Sequence, residues 1–562
     1  MMDLPTRALR FLSSEVRGLH AAVYVLAIAA ILSSLLALIR DRMLAQAFGA
    51  SATLDIYYAA FRIPDIVFVA AAGLVSVYML IPELARRDLA AQRAYIDTIA
   101  AGFSIFIVAL SAVMALLAPV ILALFFPEFV ESGNLSHVVA MTRIMLLQPI
   151  LLGLSNVLAA ITQTRHRYAL YALSPLFYNL GIIIGVTVLY PLFGLMGLAW
   201  GVVLGAFLHA AIQLPSAFAD GFFRSLPLLR ERGAIFHTAS LSLPRSLALS
   251  MNQVAFFGLA ALAALLPSGS LAVFMFAYNL QSVPLAIIGA SYSVAAFPTL
   301  AAALSRGERD AFIAHVATAA RYVLFWSLPA SALILVLRAH IVRVILGSGA
   351  FDWTDTRLTA ALFALFSLSL AAQGLVLLLV RGYYAAGKTF TPLLVAFSTA
   401  ALTIVLGVFA MSALDDVALR SMLESLLRVE ELPGTPVLGL AFAHALAAIV
   451  GAFILIADFE RRFGGFIRAI FSSLAESIAA ALVAGLGSYV FLELMSSFSV
   501  SSTLLSIFVQ GFAAGIFGIC LAAATYHVLG SREYIETYAS MRARLWRKTR
   551  EEGITVTTSA EQ

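Results

Sequence analysis

Charged residues are scarce in this sequence: Asp, Glu, Lys and Arg make up 12% of its 562 residues, and hydrophobic residues make up 62%. A soluble domain is about one-quarter charged and about half apolar, so this chain has too little polar surface to cover itself in water. Runs of about 20 apolar residues recur along it, longer than barrel strands and without alternation. Because a backbone in lipid must satisfy its own hydrogen bonds, we predict an all-α polytopic membrane protein.

Catalytic signatures are also missing. The single cysteine, Cys520, excludes an internal disulfide. There is no P-loop, no Gly-x-Ser-x-Gly elbow and no His/Cys cluster with the spacing of metal ligands. We therefore expect no enzyme activity, no cofactor and no metal site. Without a nucleotide site, transport would have to draw on an ion gradient, the membrane potential or the substrate gradient.

The polar breaks between apolar runs predict about fourteen transmembrane helices. The predicted spans are 22–48, 56–81, 97–125, 137–162, 169–190, 193–215, 237–264, 270–298, 315–345, 358–380, 391–411, 435–458, 469–494 and 504–529. With loops assigned alternately inside and outside, the inner segments carry 24 Lys and Arg residues and the outer segments five. Basic residues favour the cytoplasmic side, so we predict that both termini are cytoplasmic in a bacterial inner membrane. These basic residues act as topology signals and contacts for anionic lipid, and no nucleic-acid partner is expected.

An internal repeat predicts two related halves. Gly197-Leu198-Ala199 and Gly439-Leu440-Ala441 each open a helix after a Pro-containing helix that has a basic start. The second copy carries an insertion at about 412–434, which we interpret as a short amphipathic helix on the surface. Chance similarity between apolar helices is the alternative. If the repeat is real, two pseudo-symmetric six-helix lobes form a transporter architecture. The predicted domains are 1–235 (first lobe), 236–466 (second lobe), 467–530 (two extra helices) and 531–562 (cytoplasmic tail).

Charged residues inside the apolar runs are the strongest functional signal. The first two spans contain Arg40, Asp41, Asp55 and Arg62. An unpaired charge in the membrane costs about 2.5–3.5 kcal/mol on insertion scales, so these residues should pair, reach an interface or face a wet cavity. Arginine can clamp a phosphate or diphosphate bidentately. The alternative is that Arg40 and its neighbours end the first helix and snorkel to the interface.

The same stretch resembles a known family. ILSSLLALIRDRMLAQAFGASATLDIYYAAFRIPDIVFVAAAGLVSVYMLIPELAR is similar to the first two helices of the MviN/MurJ lipid II flippases. TQTRHRYALYALSPLFYNLGIII and PSGSLAVFMFAYNLQSVPLAIIGASYSVAAFPTLA resemble later helices of that family, and the similarity covers approximately 20–540. The resemblance implies the multidrug/oligosaccharidyl-lipid/polysaccharide exporter fold. It also implies alternating access around a cationic cavity, and a groove formed by the two extra helices for the polyprenyl tail.

The resemblance implies a substrate-binding set of five residues. Arg40 and Asp41 match the family's Arg-Asp in helix 1, Asp55 matches the Asp that opens helix 2, and Arg62 matches the basic residue before Pro64. Asn279 occupies the position of the family's helix 8 arginine. Three further family arginines are replaced, by Ser34, Phe68 and Val69.

The expected function is therefore a flippase for a lipid-linked cell-wall precursor of the lipid II type, with an undecaprenyl-diphosphate-linked substrate. The lost arginines leave two alternatives open. One is a flippase for another polyprenyl-linked unit, such as O-antigen or exopolysaccharide. The other is a non-transporting membrane scaffold for cell-wall synthesis proteins, which are also possible partners of a flippase.

Overall fold

The computed structural model describes residues 19–72, 75, 80, 81, 83, 84, 86–223, 232–430, 432–498, 503–540 and 542. Regular secondary structure is helical throughout these residues, which confirms the all-α prediction. The predicted inner charges before residue 19 and most of those in the tail lie outside the described residues.

The helices follow the apolar runs. The first half contains α1 (Leu19–Phe48), α2 (Ala52–Ala60), α3 (Arg62–Ala72), α4 (Leu89–Phe125), α5 (Pro127–Glu131), α6 (Leu135–Met145), α7 (Leu147–Thr164), α8 (Tyr168–Ile184), α9 (Tyr190–Phe193), α10 (Leu195–Ala211), α11 (Leu214–Ala219) and α12 (Arg232–Ala264). The second half contains α13 (Ser270–Leu285), α14 (Ser291–Ser305), α15 (Arg309–Ile345), α16 (Trp353–Ser367), α17 (Leu370–Ala385), α18 (Phe390–Ala413), α19 (Val417–Leu427), α20 (Val437–Phe463), α21 (Phe466–Phe498) and α22 (Leu504–Val528).

Within the described residues, eleven helical segments are long and apolar enough to cross a membrane, and the pair α16–α17, bent by 45°, brings the number to as many as twelve. The first two predicted spans correspond to α1 and to α2 with α3, which are not among those twelve. A multi-pass membrane fold is thus confirmed, and the count of fourteen stays a prediction.

Several predicted spans are interrupted. Two contain a π-helical turn, at Gly185–Leu189 between α8 and α9 and at Ala286–Ala290 between α13 and α14. The second follows Pro284, which cannot donate a backbone hydrogen bond. Such turns are frequent at functional sites.

The chain forms two compact units. Unit 1 contains the residues up to Leu280 together with Ile345–Leu362 and Thr389–Ala447. Unit 2 contains Gln281–Val344, Phe363–Lys388 and the residues from Ala448 onward. The domain limits at 235 and 466 stay predictions.

In unit 1, α8 and α10 pack backbone against backbone. A Cβ atom on Gly181 would lie 2.2 Å from the Cα of Gly205, and one on Gly201 would lie 2.4 Å from the Cα of Gly185. Glycines spaced by four residues lie on one face of a helix, which is how membrane helices approach closely when lipid gives no hydrophobic driving force between them.

The two glycines of the internal repeat occupy comparable places in unit 1. A Cβ on Gly197 would lie 2.2 Å from the carbonyl oxygen of Leu189, in the preceding helical segment. A Cβ on Gly439 would lie 2.9 Å from Leu414 Cδ1 and 3.0 Å from Ala410 Cβ, at the end of the preceding membrane helix. Both glycines allow a helix to start against the end of its predecessor, and this similarity is consistent with the predicted repeat.

The insertion at 412–434 contains the helix α19, as predicted. Asp416 caps it by accepting the backbone N–H of Ala418 at 2.8 Å. Leu427 is its one buried residue, and Met422 and Leu426 are exposed. The helix is therefore amphipathic and lies on the surface.

In unit 2, α21 and α22 pack along each other and against α15. Gly518 of α22 brings the backbone close to Ser488 of α21 and Leu333 of α15. The Tyr526 hydroxyl donates to the carbonyl oxygen of Phe325 at 2.8 Å, and the two rings lie 4.3 Å apart.

Candidate functional site

Arg40 is the centre of a polar network inside unit 1. Its Nε and Nη2 atoms donate to Asp41 Oδ1 at 2.9 and 2.7 Å. Its Nη1 atom donates to Asn179 Oδ1 on α8 at 2.9 Å. Asn279 on α13 donates from Nδ2 to the other carboxylate oxygen of Asp41, at 3.2 Å. The sequence-predicted residues Arg40, Asp41 and Asn279 are thus brought together.

The position of Arg40 argues against simple snorkelling. It lies eight residues before the end of α1 at Phe48, which is about 12 Å of helix at 1.5 Å per residue. Its guanidinium is held beside α8 by the bond to Asn179, and 19% of its side-chain surface is exposed. Asp41 is buried, so the bond from Asn279 satisfies a carboxylate oxygen that Arg40 does not use.

The network leaves part of the guanidinium for a ligand. A guanidinium carries five N–H donors, and three of them are used on Asp41 and Asn179. Two N–H groups on the Nη atoms have no acceptor among the described residues. The arrangement can therefore hold one anionic group at a fixed place while Asp41 keeps the unliganded arginine neutralised.

Asp55 is buried and is placed differently from Arg40. Its Oδ2 atom accepts the backbone N–H of Gly269 at 2.6 Å, and its Oδ1 atom accepts that of Ala272 at 2.8 Å. The carboxylate thus caps the first turn of α13, where unpaired N–H groups and the helix dipole favour a negative charge. Gly269 has a φ of +91°, and a Cβ there would lie 2.3 Å from the carbonyl oxygen of Ala50. The structure does not pair Asp55 with Arg40.

Arg62 is buried at the start of α3. Its Nε atom donates to the carbonyl oxygen of Tyr58 at 2.9 Å, and its guanidinium lies 5.2 Å from the ring centre of Phe256. Its Nη2 atom lies 3.5 Å from Asp65 Oδ2, a salt bridge between residues three apart on one face of α3. These contacts occupy Arg62 locally, away from the Arg40 network.

The turn between α1 and α2 is bound by residues that follow α15. The backbone N–H of Ala50 donates to Asp355 Oδ2 at 3.1 Å, and that of Ala350 donates to the carbonyl oxygen of Gln46 at 3.0 Å. Arg42 donates from Nη1 to the carbonyl oxygen of Ile345 at 3.1 Å. Together with the Asp55 cap, these bonds join the first predicted lobe to the second at one end of unit 1.

Asn179 is the member of the Arg40 network that the sequence did not predict. It is buried on α8, and its Nδ2 atom donates to the carbonyl oxygen of Pro175 at 3.0 Å, which fixes the amide oxygen toward Arg40. The available signal was a polar amide inside the apolar run 169–190. Ser34, Phe68 and Val69, which replace family arginines, are all half-buried.

Comparison with known proteins gives a consistent result. The family model described as "Lipid II flippase MurJ" matches residues 44–509. A "Probable lipid II flippase MurJ" of Thermotoga maritima is 30% identical over 392 residues, which are 68% of this chain and 78% of that protein. A "Lipid II flippase MurJ" of Burkholderia cenocepacia is 23% identical over 385 residues, 66% of this chain and 74% of that protein.

Solved structures show the same fold. A structure of "Lipid II flippase MurJ, inward closed conformation" is 19% identical, with a TM-score of 0.69 over 90% of this chain and 99% of that one. An inward-facing multidrug resistance transporter of the MATE family is 14% identical, with a TM-score of 0.61 over 80% of this chain and 99% of that one. The family model covers most of the sequence, and the chain belongs to the MurJ family of lipid II flippases.

Proposed function

We propose that this chain moves lipid II across the bacterial cytoplasmic membrane by alternating access, and that Arg40 binds the diphosphate of the substrate. The proposal rests on membership of the MurJ family together with one observation: a partly exposed arginine is held deep in α1 by Asp41 and Asn179. A diphosphate has oxygen atoms for the two remaining N–H donors of that guanidinium, and charge-assisted bonds of this kind are strong.

Asp41 and Asn279 act as positioning residues in this proposal. Without substrate, Asp41 neutralises Arg40, so that no unpaired charge is left in the membrane. When a diphosphate approaches, it binds the two N–H groups of Arg40 that Asp41 and Asn179 leave unused. The bond from Asn279 keeps the Asp41 carboxylate in position, so that the arginine is neutralised again when the substrate leaves.

The hydrogen bonds around the α1–α2 turn support the proposal of alternating access. Under the predicted topology, Ala50, Asp55, Gly269 and Asp355 lie toward the outer side. Their bonds join the two predicted lobes there, so they have to break in a state that opens to the outside.

The predicted orientation places both termini in the cytoplasm. The loops that contain Arg93 and Asp220 are both expected inside, and Arg93 donates to the carbonyl oxygen of Asp220 at 2.6 Å. That contact supports the proposal that they share one side of the membrane.

A second candidate is a flippase for another polyprenyl-linked glycan. The replacement of family arginines by Ser34, Phe68, Val69 and Asn279 favours it, because a less cationic cavity suits a less anionic head group.

Complementation of a strain depleted of its lipid II flippase tests the proposal. The wild-type chain should restore growth, Arg40→Ala should not, and Arg40→Lys should restore it in part because a point charge cannot reproduce the planar fork of arginine. Membrane abundance is measured for each variant. Failure of the abundant wild-type chain would contradict lipid II as the substrate and would favour the second candidate.

A further inference from the structure

Three arginines, Arg93, Arg165 and Arg167, meet at Asp220 in unit 1, about three helical turns along α8 from Asn179 of the Arg40 network. Arg167 pairs with Asp220 through two parallel bonds, Nη1 to Oδ2 at 3.0 Å and Nη2 to Oδ1 at 3.2 Å. The Nε atom of Arg165 lies 3.9 Å from Asp220 Oδ2. Arg93 donates from Nη2 to the backbone carbonyl of Asp220 at 2.6 Å.

The backbone explains why two of these arginines reach the same acid. Arg165 ends α7 and Arg167 precedes α8, and His166 between them has a φ of 54°. A left-handed residue at this point reverses the chain, so both flanking side chains lie against the end of α11. Arg167 also donates to the hydroxyl and the carbonyl oxygen of Ser216 there.

The cluster has more positive charge than its acids neutralise. Arg165 and Arg167 face the single carboxylate of Asp220 and Arg93 bonds its backbone carbonyl, so three guanidinium groups share one negative charge and two positive charges are left. Counting Asp97 as well, four residues after Arg93 on α4, still leaves one. The surplus lies where helices long enough to span a membrane begin or end, which under the predicted topology is the level of the lipid head groups on the inner side.

Arg165 keeps exposed donors, and two further donors in the cluster are buried without an acceptor in the described part of the chain. The Nε–H groups of Arg93 and Arg167 are buried and have no acceptor among the described residues. Arg165 makes one hydrogen bond, from Nη2 to Gln92 Oε1 at 3.1 Å, and 33% of its side chain is exposed. Buried donors are normally satisfied in native proteins, because leaving them unpaired costs free energy. Planar guanidinium groups match phosphate oxygens in geometry and charge.

We propose that Arg93, Arg165 and Arg167 form a binding site for the phosphate of a membrane lipid, with Arg165 as the exposed contact. Two lipids offer this chemistry: an anionic phospholipid such as phosphatidylglycerol, and an undecaprenyl diphosphate. Occupation of the site would tie the ends of α4, α7, α8 and α11 to the membrane surface. The site itself does not depend on the proposed transport activity.

Lipid titration of the purified full-length chain, followed by native mass spectrometry, tests the proposal. Wild type should bind phosphatidylglycerol or undecaprenyl diphosphate more tightly than zwitterionic phosphatidylcholine. Arg165→Gln should weaken that binding about tenfold, the scale of one charge-assisted contact, and Arg165→Lys should weaken it less. Loss confined to phosphatidylglycerol identifies the phospholipid as the ligand, and loss confined to undecaprenyl diphosphate identifies the precursor lipid.

Two control variants separate binding from folding and from general charge loss. Gln92→Ala removes the internal partner of Arg165 but keeps the charge, so binding should be retained. Arg306→Gln removes an exposed arginine whose partner is Glu308, and it should leave binding unchanged. Wild-type affinity of Arg165→Gln for both anionic lipids would overturn the proposal. Equal weakening by Gln92→Ala would also overturn it, because the arginines would then serve only to hold the helix ends.

Discussion

Asp55→Asn should weaken the contact between α2, which carries Asp55, and the start of α13. The substitution keeps the size of the side chain and one acceptor oxygen, but it turns an NH2 group toward a backbone N–H. One of the two bonds, to Gly269 at 2.6 Å or to Ala272 at 2.8 Å, is therefore lost, together with the negative charge at the helix start.

The magnitude follows from these two losses. A hydrogen bond to a charged group contributes about 1.5–3 kcal/mol, and a charge at a helix terminus contributes about 0.3–1 kcal/mol, or up to about 2 when buried. The sum is about 2–5 kcal/mol. If the bonds exist only in the state closed on the outer side, the equilibrium should shift toward the open state by about 30-fold or more, since 1.4 kcal/mol is a factor of ten.

Cysteine labelling measures this shift. Ser270 is buried at the start of α13, so a Ser270→Cys probe in a Cys520→Ala background should react slowly with an impermeant maleimide added outside. Asp55→Asn should raise the labelling rate at least about tenfold, consistent with the shift above. The matched control is Asp416→Asn, because Asp416 caps only its own helix and Asn caps nearly as well as Asp. Equal labelling rates with and without Asp55→Asn would refute the assignment of these bonds as an outer gate.

Three further predictions concern local packing and topology. Arg62→Ala should reduce complementation much less than Arg40→Ala, because the contacts of Arg62 are local. Complete loss of complementation by Arg62→Ala at normal membrane abundance would contradict this prediction. Gly201→Val should lower the free energy of unfolding by about 1–3 kcal/mol or more, because a Cβ at this position would lie 2.4 Å from the Cα of Gly185. Thermal unfolding in detergent measures this loss. Cysteines placed in the 84–96 loop of the Cys520→Ala chain should be labelled only after the membrane is permeabilised, and labelling of intact cells from outside would reverse the topology.

The helices were predictable because the length and polarity of a run determine whether it can cross a lipid bilayer. The breaks inside the runs were not. The π-helical turn at Gly185–Leu189 lies where α8 approaches Gly201 and Gly197 of α10, and such a close approach depends on a partner helix that periodicity alone does not identify. The separation of α2 from α3 at Phe61 does have a signal in the sequence, because Pro64 in the first turn of α3 cannot donate to the carbonyl of Ala60.

The charged residues of the site could be predicted, because a charge inside an apolar run stands out in the sequence. Arg40, Asp41 and Arg62 stand out as charges in apolar runs. Asn179 carries no charge, and its partner is 139 residues away in the sequence. Asp55 was visible as a buried acid, but its partners are backbone N–H groups more than 200 residues later, and no side-chain pattern marks such acceptor–donor pairs.

The affinity of the purified chain for lipid II tests the central claim most directly. Arg40→Ala should weaken lipid II binding by about tenfold to a hundredfold, which corresponds to about 1.4–2.8 kcal/mol, measured on protein that still unfolds cooperatively on heating. Asn179→Ala, which frees the guanidinium from α8 but keeps its charge, should produce a smaller loss. Wild-type affinity of a folded Arg40→Ala protein would contradict the account and would assign Arg40 a structural role in pairing with Asp41 and Asn179.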